Sequence, residues 1–303
     1  MSDWQSVEAA LPRPRQVGAK TQVVMLGTGT PRPDPARSGP ATAIVVNGTP
    51  YLVDFGPGVV RRAASAYQNG VLAFGAGVSN LQTVFLTHLH ADHTAGYPDL
   101  ILTPWIMGRK VPLEVYGPKG IKAMTEHVLK AWELDIANRV DGMEKEAPSG
   151  CQVNVHEIDA GPIYADANIR VTAFRVNHGE MEDAFGFRLE TADRTIVISG
   201  DTAPTATIVE NCFDCDVLIH EAYSGHTYDR VSRKWQDYRR NYHTSSRQLA
   251  ELANQVKPEL LVLYHRANPG GGGAVPDPED LLLDEIRRLY KGTVVTGHDL
   301  DIF

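Results

Sequence analysis

From Thr87 to His93 the chain reads Thr-His-Leu-His-Ala-Asp-His, so three imidazoles and a carboxylate fall between His88 and His93. In an extended segment residues i and i+2 point to the same side. His88 and His90 therefore present two imidazoles together while Leu89 turns inward. A bend after His90 then adds Asp92 and His93. Neutral imidazole and carboxylate suit zinc, manganese or iron, and the lack of cysteine in the cluster argues against a structural zinc site. A cation held with open positions can acidify a water and polarise an ester.

Other polar residues repeat one placement, at the end of a short apolar run. Phe174-Arg-Val-Asn leads to His178, Ile196-Val-Ile-Ser-Gly to Asp201, and Leu261-Val-Leu-Tyr to His265. Val217-Leu-Ile leads to His220 and Glu221, and Tyr51-Leu-Val to Asp54. Functional crevices of α/β sheets lie at the carboxyl ends of strands. If these runs are strands pointing the same way, their terminal residues converge.

The elements that would position them follow from periodicity and turn chemistry. Val23–Leu26, Val84–Leu86, Leu113–Tyr116, Val153–Val155, Ile169–Val176, Phe185–Leu189, Thr195–Ile198, Val217–Ile219, Leu260–Tyr264 and Thr293–Thr296 read as strands. Asn47-Gly48 between two apolar runs marks a hairpin. Helical spacing marks Val59–Ala66, Ile121–Trp132, Ser245–Gln255 and Pro278–Leu289. The prolines of residues 31–40 restrict that segment to a loop. Strands and helices in both halves suggest a layered α/β sandwich. The expected organisation is a lead-in over residues 1–20, then one domain over 21–303 with a helical insertion at about 97–145.

Composition narrows the class. The chain has 303 residues, 43% hydrophobic and 22% charged, as in ordinary globular proteins. A net charge of −8 makes the chain as a whole a poor general binder of nucleic acid. Three cysteines are too few for a disulfide framework. No apolar run approaches the ~18 residues of a membrane span, and the first residues lack the features of a secretory signal. A cytoplasmic protein with no membrane partner is expected.

The motif His88-x-His90-x-Asp92-His93 resembles the signature of the metallo-β-lactamase superfamily. His178, the turn Gly200-Asp201-Thr202 and His265 match its later motifs in order, and Asp54 resembles its first, structural motif. The resemblance runs from about Val23 to the C-terminus. It implies an αββα four-layer sandwich with a dinuclear site. One metal would be held by His88, His90 and His178, the second by Asp92, His93 and His265, with Asp201 bridging. Two zinc ions are expected, with manganese or iron as alternatives.

His220-Glu221-Ala222 and His243-Thr244 resemble motifs of the ribonuclease Z branch. There the later histidine, supported by the glutamate, protonates the leaving oxygen, so Glu221 and His243 join Asp92 as catalytic candidates. That branch also carries a long arm that grips tRNA, between the positions of His178 and Asp201. Here Phe185–Asp201 leaves no room for it, and an early loop appears only as Pro33-Asp-Pro-Ala-Arg37-Ser38. Armless relatives include aryl sulfatases and phosphodiesterases of small molecules. The reading is thus a dinuclear hydrolase of small esters (phosphodiester, aryl sulfate, carboxylic ester or lactone), using a metal-activated hydroxide. Processing of tRNA 3′ ends, or promiscuous β-lactamase activity, is the alternative. The expected partner is a small ester rather than nucleic acid, and a homodimer rests on the resemblance alone.

The segment from Tyr223 to Tyr242 is rich in tyrosine and arginine and suits a lid over an anionic aryl ester. Tyr223, and Arg266 beside His265, are the candidate substrate contacts. Cys212-Phe-Asp-Cys215 lacks a second pair and reads as two small apolar residues. Gly270–Gly273 lacks the Lys-Ser/Thr of a phosphate loop and reads as a turn. His298 is a candidate support for a ligand.

Overall fold

The computed structural model describes residues 21–68, 77–228, 230–266 and 279–303. The expected lead-in over 1–20 and the Gly270–Gly273 turn lie outside the described residues. Two compact units emerge. One comprises residues 22–158 and 298–303, and the other is built on residues 159–297.

The N-terminal unit runs β1 (Thr21–Gly27), β2 (Ala41–Val46), β3 (Thr49–Val53), α1 (Val59–Gln68), β4 (Thr83–Phe85), α2 (Ala91–Thr94), α3 (Tyr97–Ile106), β5 (Leu113–Gly117), α4 (Ile121–Ala131), α5 (Glu133–Asp141) and β6 (Val153–Glu157). Its sheet follows chain order from β1 to β6. β2 and β3 form the expected hairpin. Asn47 and Gly48 both take positive φ (52° and 78°), as a primed two-residue turn requires. From β3 to β6 the strands are parallel, so the segments after β3 and β4 leave the sheet at one edge. The stretch marked as a helical insertion contains α3, α4 and α5, with β5 as an interior strand between them.

The core of this unit sets Val59, Val60, Ala63 and Ala66 of α1 and Leu100, Ile101 and Trp105 of α3 against Leu26, Ala43, Leu52, Val84 and Val115 of the sheet. The alternate strand residues Met25, Ile44, Tyr51 and Phe85 are buried as well. That is why these strands read as continuous apolar runs rather than alternating ones. The chain end returns here, with Val23 and Phe303 exchanging backbone hydrogen bonds of 2.9 Å each.

Pro104 sits inside α3 and cannot donate to the Leu100 carbonyl. Arg109, 2% exposed, takes over that acceptor with an Nη1–O distance of 3.1 Å. It also donates to the carbonyls of Leu81 (3.0 Å), Ile101 (2.6 Å) and Gly150 (3.0 Å). Burial lowers its pKa to about 10, and no carboxylate is among these partners. Arg109→Met would strand these carbonyls in the core. The expected cost is about 3 kcal/mol or more, read as a lower urea midpoint, and an unchanged midpoint would contradict this role.

The C-terminal unit runs β7 (Gly161–Ala165), β8 (Arg170–Arg175), β9 (Phe185–Glu190), β10 (Thr195–Ile198), α6 (Ala206–Cys212), β11 (Val217–Ala222), α7 (Gly225–Tyr228), α8 (Arg233–Tyr242), α9 (Ser246–Val256), β12 (Leu260–Arg266), α10 (Glu279–Leu289) and β13 (Val294–Thr296). The sheet order is β13-β12-β11-β10-β9-β8-β7. β10 to β13 are parallel. β9 is antiparallel to both β8 and β10, so β8 points the same way as β10. The ends of β8, β10, β11 and β12 therefore share one edge. Ile208 of α6, Leu249 and Ala253 of α9 and Ile286 of α10 pack on Val197, Leu218, Leu261 and Leu263. Ser245 begins α9 as its cap, with Gln248 completing a reciprocal capping box.

Two expectations are corrected here. β11 runs on to Ala222, so His220 and Glu221 lie inside a strand, paired with Leu263 and Tyr264 of β12, rather than beyond its end. Cys212 and Cys215, expected as two small apolar residues, are joined in a disulfide. The turn between α6 and β11 brings their Cα atoms to 4.7 Å, within bonding reach. Among the described residues no helix is long and apolar enough to cross a membrane.

Candidate functional site

In the N-terminal unit the site is organised by Asp54, which takes a positive φ of 63° just after β3. Its Oδ1 accepts hydrogen bonds from the Thr87 amide (2.8 Å) and hydroxyl (2.9 Å). Its Oδ2 lies 2.8 Å from His93 Nδ1. A carboxylate at Nδ1 holds the proton there and presents Nε2 as the basic atom. Asp54 thus orients His93, as its structural motif implies. His88 Nε2 and His90 Nδ1 approach to 3.0 Å, so two ring nitrogens converge on one point. Asp92 Oδ2 is 3.7 Å from His93 Nε2.

Glycines make room for the turn that carries Asp92 and His93. A Cβ at Gly56 would stand 2.5 Å from the Asp92 carbonyl oxygen and 2.4 Å from the Gly39 carbonyl carbon. The Phe55 amide donates to the His93 carbonyl (3.0 Å) and ties the turn to the end of β3. His298 is exposed and pairs with Asp301 at 3.3 Å. Its neighbour Asp299 fastens the loop after β1 through the amides of Thr28 (2.9 Å) and Ser38 (2.6 Å).

In the C-terminal unit His178, Asp201, Glu221, His243 and His265 are all buried. His178 Nδ1 lies 2.9 Å from the Tyr242 carbonyl oxygen, which again turns Nε2 outward as the basic atom. The fit needs Gly179, because a Cβ there would meet the Tyr242 ring at 2.1 Å. His265 Nε2 and Asp201 Oδ2 stand 3.4 Å apart. His265 has a positive φ of 39°, at the irregularity where Glu221 pairs with Tyr264 but Ala222 with Arg266. A bulge of this kind re-aims one side chain, here the imidazole. Asp54 and His265 are the buried members of the non-glycine residues with positive φ, and such strain gathers at functional sites.

Glu221 Oε1 accepts from the amides of Thr244 (3.0 Å) and Thr202 (3.4 Å) and lies 3.3 Å from His243 Nδ1. Burial, and next the Asp201 charge, push its carboxyl well above the ordinary range. Thr244 also donates its hydroxyl to the Thr202 carbonyl (2.7 Å), which binds the His243 segment to the Asp201 turn. His220 is wholly buried, its Nδ1 2.6 Å from the Glu221 carbonyl oxygen. Burial lowers its pKa to about 4 and keeps it neutral.

Tyr223 is buried, with Arg239 5.2 Å above its ring and Tyr228 stacked at 5.9 Å. Arg266 is partly buried at the end of β12. Thr87, Thr202, Thr244 and Tyr242 carry roles that motif spacing did not assign. The threonines adjoin motif residues, which was the available signal. The Tyr242 carbonyl had none.

The donor set in each unit, imidazoles fixed in one tautomer beside carboxylates, suits a divalent cation. A profile of the β-lactamase superfamily domain matches residues 49–266. Ribonuclease Z of Mycobacterium bovis (strain BCG / Pasteur 1173P2) is 30% identical over 282 residues, 92% of this chain and 96% of that protein. The metallo-β-lactamase fold protein YhfI of Bacillus subtilis superposes with a TM-score of 0.68 at 17% identity, over 94% of this chain and 99% of that one. The short form of human tRNase Z gives a TM-score of 0.66 at 24% identity, over 93% and 98%. The structural likenesses bear out the expected metallo-β-lactamase fold.

Proposed function

We propose an RNA phosphodiesterase, on the premise that the chain belongs to the metallo-β-lactamase superfamily as a ribonuclease Z-like, metal-dependent hydrolase. The observation that carries the reading is the buried Glu221–His243 pair, with Nδ1 3.3 Å from Oε1. An aryl sulfate or nitrophenyl ester releases a stable anion and needs no proton donor. A ribose alkoxide is a poor leaving group and does need one. The missing arm points toward small esters. Yet the M. bovis relative, itself called ribonuclease Z, is matched over 96% of its length, so it carries no large segment that this chain lacks.

In this reading His88, His90 and His178 would hold one divalent cation and Asp92, His93 and His265 a second, with Asp201 as a further carboxylate ligand. Such a pair of cations, zinc being the expected metal, would acidify water and neutralise charge on the phosphoryl oxygens. The protein residues do the rest. Asp54 and the Tyr242 carbonyl keep His93 and His178 basic at Nε2. Asp92 orients the attacking water through its carboxylate. As the bond from phosphorus to the leaving oxygen breaks, His243 delivers a proton from Nε2 while Glu221 steadies Nδ1.

The test is incubation of zinc-loaded protein with a 3′-extended tRNA transcript, alongside nitrophenyl sulfate, acetate and phosphodiester substrates. Defined RNA cleavage is expected. Turnover of sulfate or acetate with intact RNA would restore the small-ester reading.

A further inference from the structure

Trp235, Tyr238 and Tyr242 recur at helical spacing along one face of α8. Tyr238 and Tyr242 stack at 4.4 Å with 17° between planes, and Trp235 meets Tyr238 edge-on at 5.4 Å. At the inner end, the Tyr238 ring lies 5.6 Å from His243 and the Tyr242 ring 5.1 Å from His178. At the outer end, Trp235 is 42% exposed. The aromatic face thus begins in solvent and finishes beside the imidazole assigned to the leaving oxygen.

The same helix is basic in an acidic chain. Arg233, Lys234, Arg239 and Arg240 stand against Asp237 alone, while the whole chain carries −8. Asp237 engages Arg240 at 2.9 Å and Arg233 at 3.3 Å. Arg239 is committed inward, over Tyr223. Aromatic rings interleaved with cations are the chemistry that holds a single-stranded nucleotide, with bases stacked and phosphates met by charge.

We infer that the exposed Trp235 ring is a stacking platform for the nucleobase of the nucleoside that carries the leaving oxygen, with the Tyr238 ring, turned 80° to it, walling the edge of that base. This rests on the phosphodiesterase reading and extends it to substrate selection. His243 must face the leaving oxygen, so the group attached to that oxygen extends from His243. The adjoining surface is the Tyr238 ring, with Trp235 beyond it.

The experiment compares adenosine 5′-monophosphate with ribose 5-phosphate, which lacks the base, by calorimetric titration of zinc-loaded protein. Wild type is expected to bind the nucleotide on the order of tenfold more tightly. Trp235→Ala should remove most of that preference without weakening ribose 5-phosphate, and Trp235→Phe should keep it. Tyr238→Leu should act like Trp235→Ala, with its melting curve confirming the fold. Equal binding of the two ligands by wild type would overturn the platform, as would a preference that survives both variants. A base preference without RNA cleavage keeps the platform and removes the phosphodiesterase reading. RNA cleavage without a base preference does the reverse.

Discussion

Asp201→Ala is expected to abolish hydrolysis and metal retention together. Asp201 lies at the shared carboxyl edge of β8, β10, β11 and β12, with Oδ2 3.4 Å from His265 Nε2. Gly200, at φ 61°, turns the chain there. A carboxylate placed to serve both dications would offset their mutual repulsion, adding to the charge that Asp92 would supply to one of them. Its loss withdraws several kcal/mol of transition-state stabilisation, on the order of a thousandfold in rate. Asp201→Asn keeps the shape but not the charge, and is expected to fail alike. Elemental analysis and turnover of a nitrophenyl phosphodiester check both variants. A variant that keeps full metal and near-normal turnover would show that Asp201 is only a structural turn.

His243→Ala is expected to separate chemistry from metal binding. The variant should retain its metal, because His243 is not among the proposed ligands. Its cost should grow with the basicity of the leaving group. A positioned general acid contributes about 10²–10⁴-fold where the leaving oxygen needs a proton. RNA cleavage should therefore fall by roughly a thousandfold, and turnover of a nitrophenyl diester by less than about tenfold. Glu221→Ala should show the same trend, because it removes the carboxyl whose Oε1 lies 3.3 Å from Nδ1. Equal slowing across leaving groups would contradict the proton-donor role.

The metal-type residues were legible in the sequence because their information is local. His88, His90, Asp92 and His93 sit at fixed short offsets, and His178, Asp201 and His265 each close an apolar run. Backbone handedness was not legible. The positive φ of Asp54 and His265, and the bulge that aims His265, arise from long-range pairing between β11 and β12. The extent of β11 was hidden for a related reason. His220 and Glu221 look like a polar stop after Ile219, yet their backbones keep pairing with β12. β7 escaped notice because Gly161 and Pro162 are weak strand signals. α6 did so because it is a short element between Pro204 and the Cys212 turn. Tyr223 read as a substrate contact from its place between the Glu221 and His243 motifs in an aromatic, basic segment; that sequence pattern did not reveal that Tyr223 is buried with Arg239 5.2 Å over its ring. The division near Ile158 has no linker to announce it, and the return of Phe303 to Val23 spans almost the whole chain.

The central proposal is that these histidines and carboxylates would hold a pair of divalent cations. Its most direct test is the zinc content of reconstituted wild-type protein beside one variant from each unit, His90→Ala and His265→Ala. The account predicts a pair of tightly held ions in wild type and a loss in each variant. Trace metal in wild type, or variants that bind as wild type does, would contradict it.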